Sequence, residues 1–298
     1  MMAANSIANP GFQGPPRVLM IGGGRLAKAL LRGPDLHVRA ILLRNAAAAR
    51  VLAPLAPGAA IITSYHELDH AAYDTVWILT RDGSIESVAR ELALLRDDWS
   101  GVTVLHSSGA TSVAALAALA GRGAAAYVLH PNGSFTGETP VPSGTVWGIS
   151  SDEDHAHLHA AGLLRGLSPK LVMIREEYRA LYHAAASVAG NYSVTLFAIA
   201  AELYQRAGIP AQDAREIVAA FISASAERAR SLGPGPALTG PIARGDTEVV
   251  AHQYDAIRRD APEYLEALAE LALQTARLAG WNDMDQWRQA TGAGEPEE

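Results

Sequence analysis

Apolar runs of strand length alternate with helical segments through the first half of the chain, and helix alone follows in the second. Runs over 17–22, 37–43, 59–63, 74–80, 102–106 and 125–129 predict strands, with two more near 145–149 and 170–174. Helical patterns near 25–32, 84–97, 111–121 and 153–166 lie between them. Strands of this kind, each followed by a helix, indicate an α/β domain over 17–174. Its sheet is doubly wound and mostly parallel, of Rossmann type, with both faces covered. From Glu176 onward the strand signals vanish, and helices at roughly 176–207, 211–231, 247–259 and 261–280 predict an all-α domain over 175–290. The loop Gly233-Pro234-Gly235-Pro236 interrupts it. Residues 1–16 read as a disordered tail and 291–298 as a frayed one, and no fixed-period repeat is present.

The first strand, Arg17-Val18-Leu19-Met20-Ile21, runs without a gap into Gly22-Gly23-Gly24 and a helix that begins Arg25-Leu26-Ala27. Gly22-x-Gly24-x-x-Ala27 fits the dinucleotide fingerprint: a glycine for the tight turn, one for close approach of a pyrophosphate, and a small residue for helix–strand packing. The N–H groups at Arg25 and Leu26 would face the phosphates. A plain Gly-rich turn is the alternative. The second strand ends Leu42-Leu43-Arg44-Asn45, where an NAD enzyme normally offers Asp or Glu to the ribose 2′-hydroxyl. With the acid absent, Arg44 beside Asn45, together with Arg25, suits a 2′-phosphate, so NADP is expected over NAD. Two surface arginines are the competing explanation. Thr80, Ser107 with Ser108, and His130 end later strands at the carboxyl edge of the sheet, where open α/β folds bind ligands. The serines would line the nicotinamide, and Ser108 and His130 the substrate. A helix N-cap explains one serine equally well, and loop carbonyls could satisfy the histidine.

Ala180 to Ala201 contains no Asp, Glu, Lys or Arg over twenty-two residues. A transmembrane span is long enough in principle, but polar residues recur along it and alanine gives little drive for insertion. A core helix, buried on most sides or at a dimer interface, is the simpler expectation. At 100° per residue, Leu181, Val188, Tyr192, Leu196, Ile199 and Leu203 form an apolar stripe. His183, Ser187 and Asn191, at i, i+4 and i+8, share another face with small residues. Hydride transfer to a carbonyl or imine needs a hydrogen-bond or proton donor and a group that holds the polar atom. His183 could do the first and Asn191 the second, with Ser187 between them and Tyr182 among the neighbours that set specificity. A structural histidine is the alternative for His183. The only lysines are Lys28 and Lys170, neither on this helix. In Ala237-Leu238-Thr239-Gly240-Pro241-Ile242-Ala243-Arg244-Gly245-Asp246, Arg244 is the cation best suited to a substrate carboxylate, unless it simply pairs with Asp246.

Composition narrows the classes further. The chain has no Cys, which excludes disulfides, thiolate metal sites and a thiol nucleophile. A formal charge of −7 with no basic block argues against a nucleic-acid partner. The start of the chain lacks a basic segment followed by an apolar one, so it does not read as a secretory signal, and a cytoplasmic location is expected. His155, His157 and His159 follow Asp152-Glu153-Asp154 without the Glu of a zincin motif, so a solvated helix start is expected there and no metal.

Ile21-Gly-Gly-Gly-Arg-Leu-Ala-Lys-Ala-Leu30, His106-Ser-Ser-Gly-Ala110, His130-Pro131 with Ser134-Phe135, Leu181-Tyr-His-Ala-Ala-Ala186 with Asn191-Tyr192, and the 237–246 segment together resemble a bacterial family. Its members are Rossmann-like proteins regarded as oxidoreductases, with a C-terminal helical domain of unknown function. The family resembles a branch of the 6-phosphogluconate dehydrogenase C-terminal-like superfamily, alongside pyrroline-5-carboxylate reductase and ketopantoate reductase. The resemblance implies an NADP-binding domain, a helical domain that usually forms homodimers, and an active site in the cleft between them. Three departures stand out: Ala27 replaces the third glycine, Arg81 stands where proline is commoner between Thr80 and Asp82, and His183 occupies the region where ketoacid-reducing relatives carry a lysine. The expected activity is NADP(H)-dependent reduction of a small carboxylate-bearing ketone or imine. The alternative is a non-catalytic, NADP-responsive binding or regulatory protein.

Overall fold

The computed structural model describes residues 14–33, 36–151 and 155–293, and the chain divides into two compact units at Gly190/Asn191. The first carries strands β1 (Arg17–Ile21), β2 (His37–Leu42), β3 (Ala60–Ile62), β4 (Thr75–Ile78), β5 (Thr103–His106), β6 (Ala125–Pro131), β7 (Val146–Ser150) and β8 (Lys170–Met173). They form one sheet in the order β3-β2-β1-β4-β5-β6-β7-β8. The first six are mutually parallel, β7 runs antiparallel to β6, and β8 pairs parallel with β7. After β3 the chain returns to the far side of β1. The carboxyl ends of β1 and β4 therefore meet at the topological switch point, where such sheets bind ligands.

Both faces are covered, which is why the strands carry apolar residues with no polar alternation. Val18 and Met20 of β1 join Trp77, Leu105, Tyr127 and Trp147 on one face, under Ala27 and Leu30 of α1 (Arg25–Leu31). Leu19 and Ile21 join Val76, Ile78 and Val104 on the other, under Ile85, Val88 and Leu92 of α3 (Asp82–Ala93). A short α2 (Ala46–Leu52), which the sequence pattern did not separate from its loop, seals the end of the first face with Leu52. A 3-10 turn at Val113–Leu116 and α4 (Ala117–Ala120) fill the expected 111–121 helix. In α5 (His155–Leu163), His159 points into the core: its Nδ1 takes a hydrogen bond with the Tyr127 hydroxyl at 2.8 Å and its Nε2 one with the Thr75 hydroxyl at 3.0 Å. The solvated helix start expected there thus holds a buried histidine serving as a core hydrogen-bonding group.

The sheet ends at Met173, and the division between the compact units comes later, at Gly190/Asn191. Helix α6 (Arg179–Ser187) packs with the sheet, through Arg179 and Tyr182, before the chain enters a π-helical turn at Val188–Tyr192. The second unit is helical: α7 (Ser193–Arg206), α8 (Ala211–Leu232), short α9 (Pro234–Ala237) and α10 (Pro241–Arg244), α11 (Thr247–Asp260), α12 (Leu265–Leu278) and α13 (Asp285–Thr291). Its core lies among the last three, around Val250, Tyr254, Leu273 and Trp287. Part of the tail expected to fray is packed: Thr291 is fully buried, and Gly292 closes α13 in the left-handed conformation against Arg258. The remainder of that tail, 294–298, and residues 1–13 of the other lie outside the described residues, as do 153–154 of the expected 153–166 helix.

The uncharged helix is not the core helix its composition suggested. Leu181 is 70% exposed, Val188 55% and Tyr192 58%, although all three belong to the apolar stripe. Only Ala201, Ala214 and Val218 of α7 and α8 are buried, because these two helices pack mainly on each other and contribute little to the core of their unit.

Gly22 fixes the turn out of β1. Its φ is +108°, and a Cβ there would stand 2.6 Å from the Leu79 carbonyl oxygen. Gly22→Ala is expected to cost about 2–4 kcal/mol through a disfavoured backbone and a backbone clash. A urea midpoint unchanged from the parent protein would refute this.

Candidate functional site

At the carboxyl end of β1 the three glycines differ in what they allow. Gly22 makes the turn, and Gly23 leaves room for Leu52 and Leu43, whose methyl carbons would lie 2.5 and 3.0 Å from an added Cβ. Gly24 is exposed and has only the Leu79 carbonyl within 4 Å of the same construction, at 4.0 Å. Two glycines thus serve the fold and the third leaves the backbone open to an incoming group. Arg25 is exposed at the start of α1, and Leu26 packs its side chain on the core, which leaves only its backbone for a ligand. Beside this loop is a pocket of about 120 Å³, lined by Gly22, Leu43, Arg44, Thr63, Tyr65, Thr80, Ser84, Ser87 and Glu91. Arg44 is its cationic wall and Glu91 its anionic one. Burial and a hydrogen bond with Glu91 push the Tyr65 phenol up to about 12, so it remains protonated. Asn45 is occupied elsewhere, capping α2 by accepting from the Ala47 N–H at 2.7 Å. Thr63, Tyr65, Ser84, Ser87 and Glu91 were not singled out from sequence; their only signal is their place just after β3 and along one side of α3, from its first turn to its last.

The second cluster lies at the ends of β5 and β6. Gly109, in the loop after β5, abuts two imidazoles: a Cβ there would meet His183 Cδ2 at 2.6 Å and His130 Nε2 at 2.8 Å. The His130 and His183 rings meet edge to face with centroids 6.1 Å apart. His130 Nδ1 hydrogen-bonds the Tyr182 hydroxyl at 2.8 Å, and that hydroxyl donates to Asn132 Oδ1 at 3.0 Å. The Tyr182 phenol crosses Gly148 of β7, where any side chain would collide with it. His130, from one motif, and Tyr182 and His183, from another, are therefore neighbours. Burial, then the nearby His183 and Arg179, lowers His130 to about 4.

The cluster is held from below. Arg179 is buried and binds Glu176 through Nε at 2.9 Å and Nη2 at 2.7 Å, while its Nη1 donates to the Gly109 carbonyl at 3.4 Å. Glu176 accepts from the Ser150 hydroxyl at 2.7 Å, and Arg179 above all holds its carboxyl down at about 2. His106 is fully buried, accepting from the Ser108 N–H at 3.2 Å and meeting the Ser112 carbonyl at 3.2 Å, and burial lowers it to about 4. Glu176 and Arg179 were not singled out from sequence, and His106 stood there only as a strand end. Nothing in the sequence tied them to one loop.

Other expected site residues have local duties. Ser107 Oγ accepts from Trp77 Nε1 at 2.8 Å. Ser108 Oγ donates to Thr111 and accepts from the Ala110 and Thr111 N–H groups, closing its loop as a cap. Thr80 Oγ1 makes one long contact with the Arg81 carbonyl, 3.4 Å, and lines the pocket. Ser187 turns its hydroxyl back to the His183 carbonyl at 3.2 Å. Asn191 lies within the π turn, where i→i+5 bonding takes more residues per turn and breaks the i, i+4, i+8 row read for a regular helix. In the second unit, Arg244 Nε donates to Asp246 at 2.9 Å, and Asp246 opens α11 without a side-chain cap. That unit also has a concavity of about 610 Å³ lined by Leu203, Ile242, Tyr254, Ile257, Leu268 and Leu271. Arg206 and Asp260 are also in its lining, and Arg206 is tied to Glu202, Glu263 and the Asp260 carbonyl, so the hollow is apolar with its charges at work in ion pairs.

Residues 145–275, from β7 to α12, match a domain of unknown function, DUF2520. Around it the whole fold resembles a proposed NADP oxidoreductase from Bacteroides fragilis, with a TM-score of 0.70 and 19% identity over 88% of this chain and 98% of that one. A reductive aminase from Aspergillus terreus, solved with NADPH and ethyl levulinate, gives 0.62 at 17% identity over 93% and 99%. A pyrroline-5-carboxylate reductase from Coxiella burnetii gives 0.59 at 14% identity over 95% and 100%. Such identities establish a shared fold, a Rossmann-type sheet followed by helices. No curated protein is similar enough in sequence to count as a match. The DUF2520 match begins inside the sheet, so it includes β7, Arg179, Tyr182 and His183 but neither the glycine loop nor His130.

His106, His130 and His159 are each lowered by burial to about 4. An unfolded chain takes up these protons below about pH 6.5 while the folded one refuses them, so stability is full above that pH and falls toward pH 4. With these histidines acting together, the unfolding free energy is expected to drop by up to about 4 kcal/mol per pH unit in that window. Glu176 adds its loss only below about pH 4.5. Urea midpoints that stay flat from pH 7 to pH 5 would contradict this.

Proposed function

We propose that this chain is an NADP(H)-dependent reductase of a small ketone or imine, working at the carboxyl edge of the sheet in its first unit. The observation that carries the reading is the open backbone at Gly24, next to a pocket whose wall is Arg44 and which has no carboxylate at the end of β2. Backbone N–H groups in the first turn of a helix lack intrahelical partners and suit phosphate oxygens. A guanidinium suits a 2′-phosphate as a planar multiple donor. A bound nicotinamide cofactor supplies the hydride; His130 and His183 supply the polar groups that would face the reacting atom. The NADPH-bound reductive aminase and the reductase neighbours, alike in fold, support this class of chemistry. In the second unit, Arg244 is a cation that suits a carboxylate: its side chain is 63% exposed and keeps N–H groups beyond the one given to Asp246.

We place the partner in the same reading: a second copy of this chain, covering the helical unit. Tyr192, Val194, Phe221 and Leu232 stand exposed on α7, α8 and the turn before them, within or beside a run free of charge. By length and composition the 176–206 segment would also cross a bilayer. His183, Ser187 and Asn191 along it favour protein as the cover, since polar side chains in hydrocarbon are costly. A self-complementary face around a two-fold axis is the commonest way to bury such a surface. Sedimentation is expected to give a dimer that Phe221→Glu dissociates; a monomeric parent protein would sink this part.

NADPH titration followed by cofactor fluorescence is expected to show saturable binding, and Arg44→Asp to weaken NADPH at least about 10-fold while changing NADH little. NADPH consumption with a panel of ketoacids and cyclic imines then separates catalysis from sensing. Tight binding with no compound reduced, and no loss of function in His183→Ala, would leave the regulatory alternative standing.

A further inference from the structure

The hydrogen bonds around His130 have a direction. Tyr182 donates its hydroxyl proton to Asn132 Oδ1 at 3.0 Å, so toward His130 its oxygen can only accept. His130 Nδ1, 2.8 Å away, must then carry the ring proton. In a neutral imidazole one nitrogen donates and the other accepts, so Nε2 is left with a lone pair. Among the described residues no hydrogen bond reaches that Nε2; His130 is half-buried, and its ring and that of His183 approach Gly109 as closely as they do because no side chain stands there. The geometry fixes Tyr182 as well: its ring meets His130 at 83° with centroids 5.5 Å apart, and its hydroxyl lies over Gly148, which has no side chain to displace it. The ring nitrogens of His183 likewise make no hydrogen bond among the described residues.

We infer that Asn132 and Tyr182 are positioning residues that hold His130 as a hydrogen-bond acceptor, and that the site thereby selects a substrate presenting N–H at the reacting carbon, a protonated imine, over the matching ketone. The inference rests on the reductase reading above and narrows it. A ketone offers only an acceptor, which would face the Nε2 lone pair without a shared proton. An iminium N–H can donate to it. The chemistry also balances without a lysine. Hydride from the reduced nicotinamide forms the new C–H bond, the C=N π pair becomes a lone pair on nitrogen, and the nicotinamide is left oxidised. The N–H is retained throughout, so this step requires no proton transfer, whereas ketone reduction leaves an alkoxide that an acid must protonate. A neutral acceptor suits the first and not the second.

The relay is tested apart from catalysis by ¹⁵N-resolved NMR of the histidine side chains at pH 7, assigned with His130→Gln. The parent protein is expected to show His130 with its proton on Nδ1, and Tyr182→Phe, which keeps the ring over Gly148, to move it toward Nε2. A parent protein with the proton on Nε2, or no response to Tyr182→Phe, overturns the relay. Selection is tested by NADPH consumption with 2-methyl-1-pyrroline and 2-methylcyclopentanone. The imine is expected to be preferred by at least about 100-fold in kcat/KM, and Tyr182→Phe to erode that ratio about 10-fold with NADPH binding retained. Equal or better use of the ketone overturns the selection. Tight NADPH binding with neither compound reduced defeats the reductase reading itself and the selection with it, while the tautomer still decides the relay.

Discussion

A buried guanidinium at the foot of α6 is the constraint on which the candidate site depends. Arg179 is 4% exposed, and a charge so far from water is tolerable only if each of its donors finds an oxygen. Glu176 takes two of them and the Gly109 carbonyl a third, and Glu176 is in turn bonded to Ser150 at the end of β7. One ion pair thus joins the start of a helix, the loop after β5 and the edge of β7. Tyr182 and His183 are the third and fourth residues beyond it on the same helix, so the anchor also sets where they meet His130. Losing the carboxylate would leave an uncompensated buried charge, which costs far more than an exposed pair contributes.

Glycine carries the same logic from the other side. At Gly22 the backbone turns where another residue would be strained; at Gly109 and Gly148 it runs against rings. Gly22 and Gly109 lie just beyond the carboxyl ends of β1 and β5, and Gly148, in the middle of the antiparallel β7, pairs with His130 near the carboxyl end of β6. The sheet can approach its own side chains there because it gives up Cβ atoms, and the groups brought close are His130, His183 and Tyr182.

The fold was largely legible because a buried parallel sheet leaves a strong mark: apolar runs at strand length, spaced by helices, and a glycine loop at the first crossover. All eight strands lie where those runs predicted, within a residue or two. Less legible was anything that depends on partners distant in sequence. Ser108 had the right type and place for a ligand contact, yet its hydroxyl closes its own loop, since two backbone N–H groups lie within reach. The row His183, Ser187, Asn191 assumed a uniform helix, and a π turn breaks it at its last member. The apolar stripe on the uncharged helix was read as core because composition reports what must avoid water, not what covers it. Tyr65 and Glu91 carried no motif at all, and only the return of the chain after β3 puts them in one pocket with Arg44.

The histidines show why residue type alone underdetermines chemistry. His106, His130 and His159 are all kept neutral by burial. What separates them is wiring. His106 and His159 have both ring nitrogens committed to protein partners, so neither has a lone pair or proton to offer a ligand. His130 has one nitrogen committed, through a tyrosine that is itself committed to Asn132. Burial then has opposite consequences: in the first two it makes a structural hydrogen-bonding group, and in the third it removes the charged form and leaves a single acceptor of fixed direction. His183, beside it and with no ring hydrogen bond among the described residues, keeps the freedom that His130 has lost. A pair in which one member is fixed and the other free can hold a polar atom from two sides, which a pair of fully bonded histidines could not.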